Sequence, residues 1–223
     1  MKIGVIVAME KELHQIRDMF PEEKVVVQKC GIGKVNAAIG ATEMIRDHQP
    51  DMIVSTGCAG GYGPGVNVQD VVVSTELAYH DVYCGTAIGQ SVYGQVQGMP
   101  ARFPADPKML EAAQTLTANL SSFAPGISIH PGLIVTGDWF VDSKEKMREI
   151  IGHFPEARAI DMESAAIAHA CYRKGVPFIS FRVISDLPLQ DVDASMYHDF
   201  WNTIADNSFQ VTRHFLECLM QSE

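Results

Sequence analysis

The sequence is poor in basic residues, with 17 Lys and Arg against 27 Asp and Glu and a formal net charge of −10 at pH 7. The Lys and Arg residues nowhere form a run. Broad binding to the phosphate backbone of nucleic acids needs clustered cations. The composition therefore argues against nucleic acid as a partner.

Long apolar runs and paired cysteines are also missing. No stretch approaches the roughly 18 to 20 apolar residues of a membrane-spanning helix, and the N-terminal apolar run is too short for a signal peptide. The five cysteines are an odd number without a Cys-x-x-Cys pair, which favours reduced thiols. These absences predict a cytoplasmic protein that does not bind a membrane.

Motifs for common cofactors and metals are absent as well. The Gly-Ile-Gly-Lys segment at 31–34 resembles a phosphate-binding loop, but Gln28 stands where that motif requires glycine. The turn after the first strand lacks Gly-x-Gly-x-x-Gly, and no His-Glu-x-x-His or paired Cys/His spacing occurs. We expect neither a cofactor nor a metal.

The chain does contain a regular alternation of strand and helix patterns. Its 223 residues, 47% of them hydrophobic, suit one domain over 1–223. Short apolar runs predict strands at 2–9, 24–30, 68–80, 130–141, 157–160 and 176–186, and a further strand that begins at 51 and runs into a glycine-rich loop by 61. Helical patterns lie between most of them, residues 81–106 are irregular, and one long helix is predicted over 196–220. This alternation predicts a three-layer α/β fold with a mainly parallel, mixed central sheet flanked by helices.

Several acids stand at or just after the carboxyl ends of predicted strands: Glu12, Asp138, Glu163 and Asp186. Functional residues of parallel sheets gather at that edge. The carboxylates could therefore converge on one cleft, rimmed by glycine-rich turns at 31–33 and 57–61. The alternative for each acid is a helix cap or a surface ion pair.

The segment Ala159–Cys171 places Asp161 and Glu163 where a buried strand becomes a buried helix. A carboxylate in such a place is costly unless something pairs with it or uses it. Cys58 also has two interpretations, a nucleophile on a strand-to-loop turn or an inert buried thiol. Nothing in the sequence places a base beside Cys58, which favours the inert thiol.

Seven segments in order carry a family resemblance: KIGVIVAMEKEL, CGIGKVNAA, STGCAGG, VVVSTELAYHD, VTGDWFV, IDMESAAIAHAC and FRVISD. Together they resemble the bacterial 5′-methylthioadenosine/S-adenosylhomocysteine nucleosidases of the purine nucleoside phosphorylase-like family, over nearly the whole chain. The resemblance implies that fold, a homodimer and a small-molecule nucleoside substrate. The implied reaction is hydrolysis of the bond between adenine N9 and ribose C1′ in 5′-methylthioadenosine, S-adenosylhomocysteine or 5′-deoxyadenosine.

The resemblance also implies catalytic roles at matching positions. Glu12 is expected to be the general base on the attacking water, which Arg182 helps to hold. Glu163 is expected to bind the ribose hydroxyls, and Asp186 to protonate or hydrogen-bond the purine. These residue types suit the chemistry, because cleavage builds positive charge on the sugar and adenine leaves poorly as an anion.

The remaining implied contacts surround the nucleoside. Ser185 is expected to orient Asp186, the Met162 amide to assist at the ribose, Phe140 to stack on adenine, the Val141 backbone to read its edge, and Met9 to lie near the sugar. For Asp161 we expect a structural salt bridge.

The sequence departs from the family pattern in three places. It is short between Phe20 and Cys30, and Cys58 stands where many relatives have a serine near the catalytic water. Relatives use the 81–100 region to cover the 5′ substituent across a dimer interface, but here the match is poor at Ile88, Tyr93 and Gln97. Three alternatives therefore stay open: a 6-amino-6-deoxyfutalosine hydrolase, a nucleoside phosphorylase of the same superfamily, or a non-catalytic nucleoside sensor.

Overall fold

The protein is described by a computed structural model that covers residues 1–17, 19–85, 92–191, 194–203 and 205–221. Its eight strands are β1 Ile3–Val7, β2 Val25–Lys29, β3 Met52–Gly61, β4 Val71–Tyr79, β5 Phe103–Pro104, β6 Ile129–Thr136, β7 Ala157–Asp161 and β8 Phe178–Asp186. Its helices are α1 Glu10–Ile16, α2 Lys34–His48, α3 Pro107–Thr117, α4 Lys144–His153, α5 Ser164–Lys174, α6 Ser195–Thr203 and α7 Ala205–Gln221.

The predicted α/β fold with a mainly parallel, mixed sheet flanked by helices is confirmed. Strand β1 pairs in parallel with β2 and β3, β3 with β8, and β6 with β4 and β7. The antiparallel pairs are β3 with β7, β4 with β5, and β4 with β8. Most strands therefore present their carboxyl ends at one edge, where strand-end side chains can meet.

The sheet also closes on itself, which the strand pattern did not predict. Strand β8 pairs with both β3 and β4, while β7 pairs with both β3 and β6. Strands β3, β8, β4, β6 and β7 thus form a closed ring. Strands β1 and β2 extend it beyond β3, and β5 extends it beyond β4.

The glycine-rich turn predicted at 57–61 is wrong, because β3 continues to Gly61. Through this segment β3 pairs with β8, with a register shift between Ala59 and Gly60. Gly60 and Gly61 also pair with β7. Backbone pairing on both sides therefore keeps this segment extended despite its glycines.

Several predicted boundaries also move. The strand predicted over 130–141 ends at Thr136, so 137–141 form a loop. The irregular region at 81–106 contains the two-residue strand β5. The helix predicted over 196–220 is described as α6 and α7, on either side of residue 204, which lies outside the described residues.

Alternating side chains of β8 face two different environments, as the two-residue period of a strand requires. Ile179, Phe181 and Val183 join an apolar core with α1, α3 and α7, where the Phe181 and Phe215 rings stack at 4.5 Å. Ser180 and Arg182 alternate with them and are also buried. The second face of β8 is therefore polar as well as buried at these two positions.

No helix in the described ranges has both the length and the apolar character that crossing a membrane requires.

We predict that Gly40→Ala destabilises the protein, although alanine is the better helix former. An added Cβ at Gly40 in α2 would lie 2.4 Å from Cys30 Cβ and 3.2 Å from Cys30 Cα. Overpacking of this kind costs about 1–3 kcal/mol, which exceeds the helix-propensity gain of about 1 kcal/mol. Urea denaturation measures the difference.

Gly152→Ala is the matched control, because Gly152 lies in α4 and its added Cβ would meet nothing within 4 Å. This variant should gain up to about 1 kcal/mol from helix propensity alone. Equal stability changes in the two variants would contradict the steric argument.

Candidate active site

One cleft collects almost every residue that the sequence analysis selected. Those lining it are Met9, Glu12, Cys58, Phe140, Val141, Met162, Glu163, Ser185 and Asp186. They come from the ends of β1, β7 and β8, from β3, and from the loop after β6. Three of the four acids selected by the strand-end argument, Glu12, Glu163 and Asp186, thus line one cleft.

Among the residues that the family resemblance implies for the site, Arg182 is the one that does not line the cleft. Its side chain is 1% exposed and lies below the floor of the cleft. Its Nε is 2.9 Å from Asp161 Oδ2 and donates to Ser164 Oγ at 3.0 Å, while Nη2 donates to Ser55 Oγ at 2.9 Å. Nη2 also lies 3.7 Å from Glu163 Oε2. A buried guanidinium thus carries positive charge to the underside of the site.

The predicted salt bridge of Asp161 is confirmed, and it explains why two acids stand at the start of α5. Asp161 Oδ2 pairs with Arg182, while Oδ1 accepts from Thr136 Oγ1 at 2.5 Å and from the Ser164 backbone N–H at 3.2 Å. Asp161 therefore caps the helix and neutralises Arg182. Glu163, at the N-cap position itself, makes no capping bond, so its carboxylate is available to the cleft.

Glu163 is held from the opposite side of the cleft. Its Oε1 accepts from the Gly33 backbone N–H at 3.0 Å. Burial raises the pKa of Glu163 to about 7, opposed by Arg182 and the Gly33 amide, while Asp161 and Glu12 raise it further. The group is therefore poised between its two protonation states near neutral pH.

Glu12 is fixed by backbone amides. As the third residue of α1 it reaches back to the helix start, a geometry typical of glutamate at this position. Its Oε2 accepts from the N–H groups of Ala8 at 2.8 Å and Met9 at 2.9 Å, and Oε1 accepts from Cys58 N–H at 2.9 Å. Burial raises the pKa of Glu12, against the lowering effect of Arg182 and these amides.

Asp186 has a different environment from the other two acids. Its Oδ1 accepts from Ser185 Oγ at 2.6 Å, and no ion pair joins it to a cation among the described residues. Burial raises the pKa of Asp186 to about 6, with the Ser185 hydrogen bond opposing the shift. Burial therefore favours the protonated form of Asp186, and no cation in the described part of the chain contributes to its pKa shift in the opposite direction.

Gly57 separates Glu12 from Arg182. A Cβ on this residue, whose φ is +143°, would lie 2.3 Å from Glu12 Oε1 and 2.8 Å from Arg182 Nη1. Arg182 Nη1 is buried and has no hydrogen-bond partner within the described ranges. The glycine leaves a carboxylate and a donor N–H close together at the floor of the cleft.

Two candidate residues have other surroundings than a catalytic role requires. Asp138 does not line the cleft but lies outside it, where its Oδ1 accepts from Lys34 N–H at 2.7 Å. Cys58 lines the cleft, but burial and the neighbouring Glu12 raise the pKa of its thiol well above the usual range. A thiol held protonated is a poor nucleophile, which supports the inert interpretation.

Among the residues that line the cleft, the sequence analysis did not select Ala8, Ile32, Ala59, Gly60, Trp139, Ile160, Pro188 and Tyr197. Ile32 and Trp139 lie within two of the seven segments that carry the family resemblance, so their positions could have been selected from the sequence. Tyr197 comes from α6, and its ring meets Phe140 edge-on at 5.4 Å. No local pattern indicates that a residue of this helix reaches the ends of β1 and β8.

The 81–100 region is only partly described. Ile88 lies outside the described residues. Tyr93 stacks on His153 at 3.7 Å, and neither Tyr93 nor Gln97 lines the cleft. In the part of the chain that the structure describes, no group of three or more His, Cys, Asp or Glu side chains could hold a metal ion.

Comparison with known proteins gives consistent matches over the full length. A model of the phosphorylase superfamily matches residues 2–217. The chain is 40% identical to a 5′-methylthioadenosine/S-adenosylhomocysteine nucleosidase from Exiguobacterium sp., with 100% of both chains covered.

Solved structures agree with the curated relative. A nucleosidase of the same name from Neisseria meningitidis, in complex with methylthio-immucillin-A, has a TM-score of 0.88 at 36% identity and covers 97% of this chain and 98% of its own. One from Colwellia psychrerythraea, in complex with adenine, has a TM-score of 0.88 at 34% identity and covers 98% and 96%.

We predict that Asp161→Asn lowers the free energy of unfolding by about 3 kcal/mol, because it leaves a buried guanidinium without its closest counter-charge. Urea denaturation of the purified variant measures the loss. Asp47→Asn is the matched control, since Asp47 contacts Arg46 through both carboxylate oxygens at 2.6 Å on the exposed face of α2.

The control should lose far less stability, because exposed ion pairs contribute little to folding. Similar losses in the two variants would mean that burial of the Arg182 pair does not determine its importance.

Proposed function

The chain belongs to the 5′-methylthioadenosine/S-adenosylhomocysteine nucleosidases of the phosphorylase superfamily, and we propose that Glu12, Glu163 and Asp186 divide its reaction among them. The reaction is hydrolysis of the N-glycosidic bond of 5′-methylthioadenosine and S-adenosylhomocysteine, releasing adenine and the 5′-substituted ribose. One observation carries the division of roles: three buried carboxylates line one cleft in three different environments.

Asp186 is proposed as the general acid at the leaving group. Adenine is a poor leaving group as an anion, so a proton delivered to the purine ring lowers the barrier. The pKa of about 6 supports this role, because burial favours the proton on Asp186. Ser185 Oγ donates to Oδ1 and so fixes the orientation of the carboxyl group.

Glu12 is proposed as the general base on the attacking water. A base must be ionised, and three backbone N–H groups that donate to the Glu12 oxygens oppose the effect of burial, which on balance raises its pKa. Arg182 supports the same role, because its Nη1, which has no hydrogen-bond partner among the described residues, lies close to Glu12 across Gly57 and could donate to a bound water.

Glu163 is proposed to bind the ribose hydroxyls, with assistance from the Met162 amide. As the glycosidic bond breaks, the sugar ring gains positive charge. A carboxylate preorganised beside the ring stabilises that charge more strongly in the transition state than in the ground state.

The remaining selected residues surround the nucleoside in this proposal. Phe140 is 47% exposed at the cleft, which leaves a ring face for stacking on adenine, and the Val141 backbone reads the purine edge. Met9 lies near the sugar, and Cys58 occupies the position close to the water.

Hydrolysis is favoured over phosphorolysis by the charge of the cleft. Of the described residues that line it, none is Lys, Arg or His. The nearest cation, Arg182, is already paired with Asp161. Phosphate would therefore meet Glu12 and Glu163 without a compensating cation, which Coulomb repulsion opposes.

The test is an assay for adenine release in phosphate-free buffer, with 5′-methylthioadenosine, S-adenosylhomocysteine, 5′-deoxyadenosine and 6-amino-6-deoxyfutalosine as substrates. The wild-type chain should release the base without phosphate. Asp186→Asn should lower kcat by about 10²- to 10⁴-fold, the usual contribution of a general acid. Turnover that requires phosphate would indicate a phosphorylase, and wild-type turnover by Asp186→Asn would refute the leaving-group role.

The stability of Asp186→Asn separates lost chemistry from lost folding. The folded-state pKa of about 6 lies above the ordinary 3.8, so ionisation at higher pH costs the folded state up to about 3 kcal/mol. The variant removes this cost and should melt a few degrees higher at pH 8, but not at pH 4. A lower melting temperature at pH 8 would contradict the assigned environment.

We propose further that residues 1–223 act as one domain of a homodimer. Val35 is 69% exposed, Ile32 50% and Ile39 52%, and their spacing places them on one side of the start of α2. Ile32 also lines the cleft, so a partner on this face would border the site.

The free thiols of Cys30, Cys58, Cys84 and Cys171 support a cytoplasmic location, which cell fractionation would test.

Val35→Glu should shift the sedimentation of the chain from dimer to monomer, because a charge cannot be buried cheaply in an apolar interface. Tyr172→Glu is the control, since Tyr172 is 56% exposed on another helix, α5. Dissociation by the control but not by Val35→Glu would place the interface elsewhere.

A further inference from the structure

Three charged side chains outside the cleft connect three loops. Lys34 Nζ lies 2.7 Å from both carboxylate oxygens of Asp81 and 3.7 Å from Asp138 Oδ2. Asp81 Oδ2 accepts from the Asp138 backbone N–H at 2.8 Å. We call Lys34, Asp81 and Asp138 the Lys34 clamp. It joins the start of α2 to the loops that follow β4 and β6.

The clamp holds the turn that supplies the amide for Glu163. Asp138 Oδ1 accepts from Lys34 N–H at 2.7 Å, and the preceding Gly33 N–H donates to Glu163 Oε1 at 3.0 Å. Gly33 has φ +93°, and a Cβ there would lie 2.9 Å from Asp138 Oδ1. Two adjacent amides thus face two carboxylates, one outside the cleft and one inside it.

The same aspartate begins the loop that forms another wall of the cleft. Trp139, Phe140 and Val141 directly follow Asp138, and all three line the cleft. The loop has no strand pairing after Thr136. Val141 packs in an apolar cluster and Phe140 packs against Tyr197, while Asp138 supplies the contacts that join the loop to the turn at Gly33.

We propose that Asp138 is a positioning residue, which holds the Gly33 amide on Glu163 and keeps the Trp139–Val141 loop against the same site. This inference rests on the proposed function, in which Glu163 binds the ribose and Phe140 the purine. Asp138 acts only through these residues, since it does not itself line the cleft.

A purely structural role would be a poor explanation for the clamp. Asp138 is 48% exposed, and Lys34 and Asp81 are 22% and 25% exposed. Ion pairs at such sites add little to the free energy of folding. A displacement of about 1 Å at a catalytic group, in contrast, can cost about 10²-fold in rate. The clamp is therefore expected to affect activity far more than stability.

The protonation of Glu163 links the clamp to pH. The groups facing this carboxyl are Arg182, Asp161, Glu12, the Cys30 thiol and the Gly33 amide. Of these, Arg182 and the amide lower its pKa, while the two acids raise it. If the hydrogen bond from the Gly33 N–H is lost, burial and the two acids raise the pKa of Glu163 with less opposition. Glu163 would then need a higher pH to ionise.

The test compares Asp138→Ala with Asp138→Asn in the adenine-release assay. Asp138→Ala should lower kcat/KM about 10- to 100-fold and move the acidic limb of the pH profile to higher pH. Asp138→Asn retains an oxygen that can accept from Lys34 N–H, so it should stay within about fivefold of wild type. Melting temperatures should change by less than about 2 °C.

Asp106→Ala is the control, because Asp106 also accepts backbone N–H groups at a helix start, from Lys108 at 3.0 Å and Met109 at 3.1 Å, and does not line the cleft. This variant should lose more stability than Asp138→Ala, because it removes two capping hydrogen bonds rather than one, and it should keep the wild-type pH profile. The proposal is overturned if Asp138→Ala keeps both kcat/KM and the acidic limb, or if Asp138→Asn fails as badly as Asp138→Ala.

The rate of hydrogen exchange at the Gly33 amide tests, without any substrate, whether the Lys34 clamp holds this N–H on Glu163. Asp138→Ala should accelerate exchange of this amide at least tenfold, while Asp106→Ala should leave it unchanged. Unchanged protection in Asp138→Ala would overturn the proposal even if the wild-type chain released no adenine. Failure of the proposed function would instead appear as an inactive wild type with the expected change in exchange.

Discussion

The buried ion pair between Arg182 and Asp161 is the interaction on which the rest of the site depends. Burying the pair requires the desolvation of two charges. Hydrogen bonds with the hydroxyl groups of Ser55, Ser164 and Thr136 offset that penalty. In return, a fixed positive charge lies beneath an acidic cleft. Glu12 and Glu163 can then be ionised side by side, which neither could do easily in an apolar pocket without a cation.

The carboxylates differ because their distances from this charge and from backbone amides differ. Glu12 has three amides, Glu163 has one amide and the edge of the guanidinium, and Asp186 has a single hydroxyl. One residue type thus provides groups with different proton affinities at a single pH, the condition for an acid and a base to act in the same reaction. Glu12 and Glu163 both interact with Arg182 and with each other, whereas neither contributes to the environment of Asp186.

Much of this arrangement was predictable from local sequence. The apolar runs placed Glu12, Glu163 and Asp186 at strand ends, and strand ends of a parallel sheet share an edge. The pattern could not show that β3 continues through its glycines, because pairing with β7 and β8 decides that over long sequence distances. Nor could it join Lys34 to Asp138, or bring Tyr197 to the cleft, since neither contact has a local signature.

The closed ring of strands has a consequence for synthesis of the chain on the ribosome. Strand β3 pairs with β8, which lies far later in the sequence. The backbone of Ile53 can therefore pair with Phe178, and that of Gly57 with Arg182, only after β8 has been synthesised. Until β8 has been translated and has left the exit tunnel, β3 lacks its pairing with β8, and Asp161 lacks the counter-charge of Arg182. The central part of the sheet and the buried ion pair beneath the cleft therefore cannot form until translation is nearly complete.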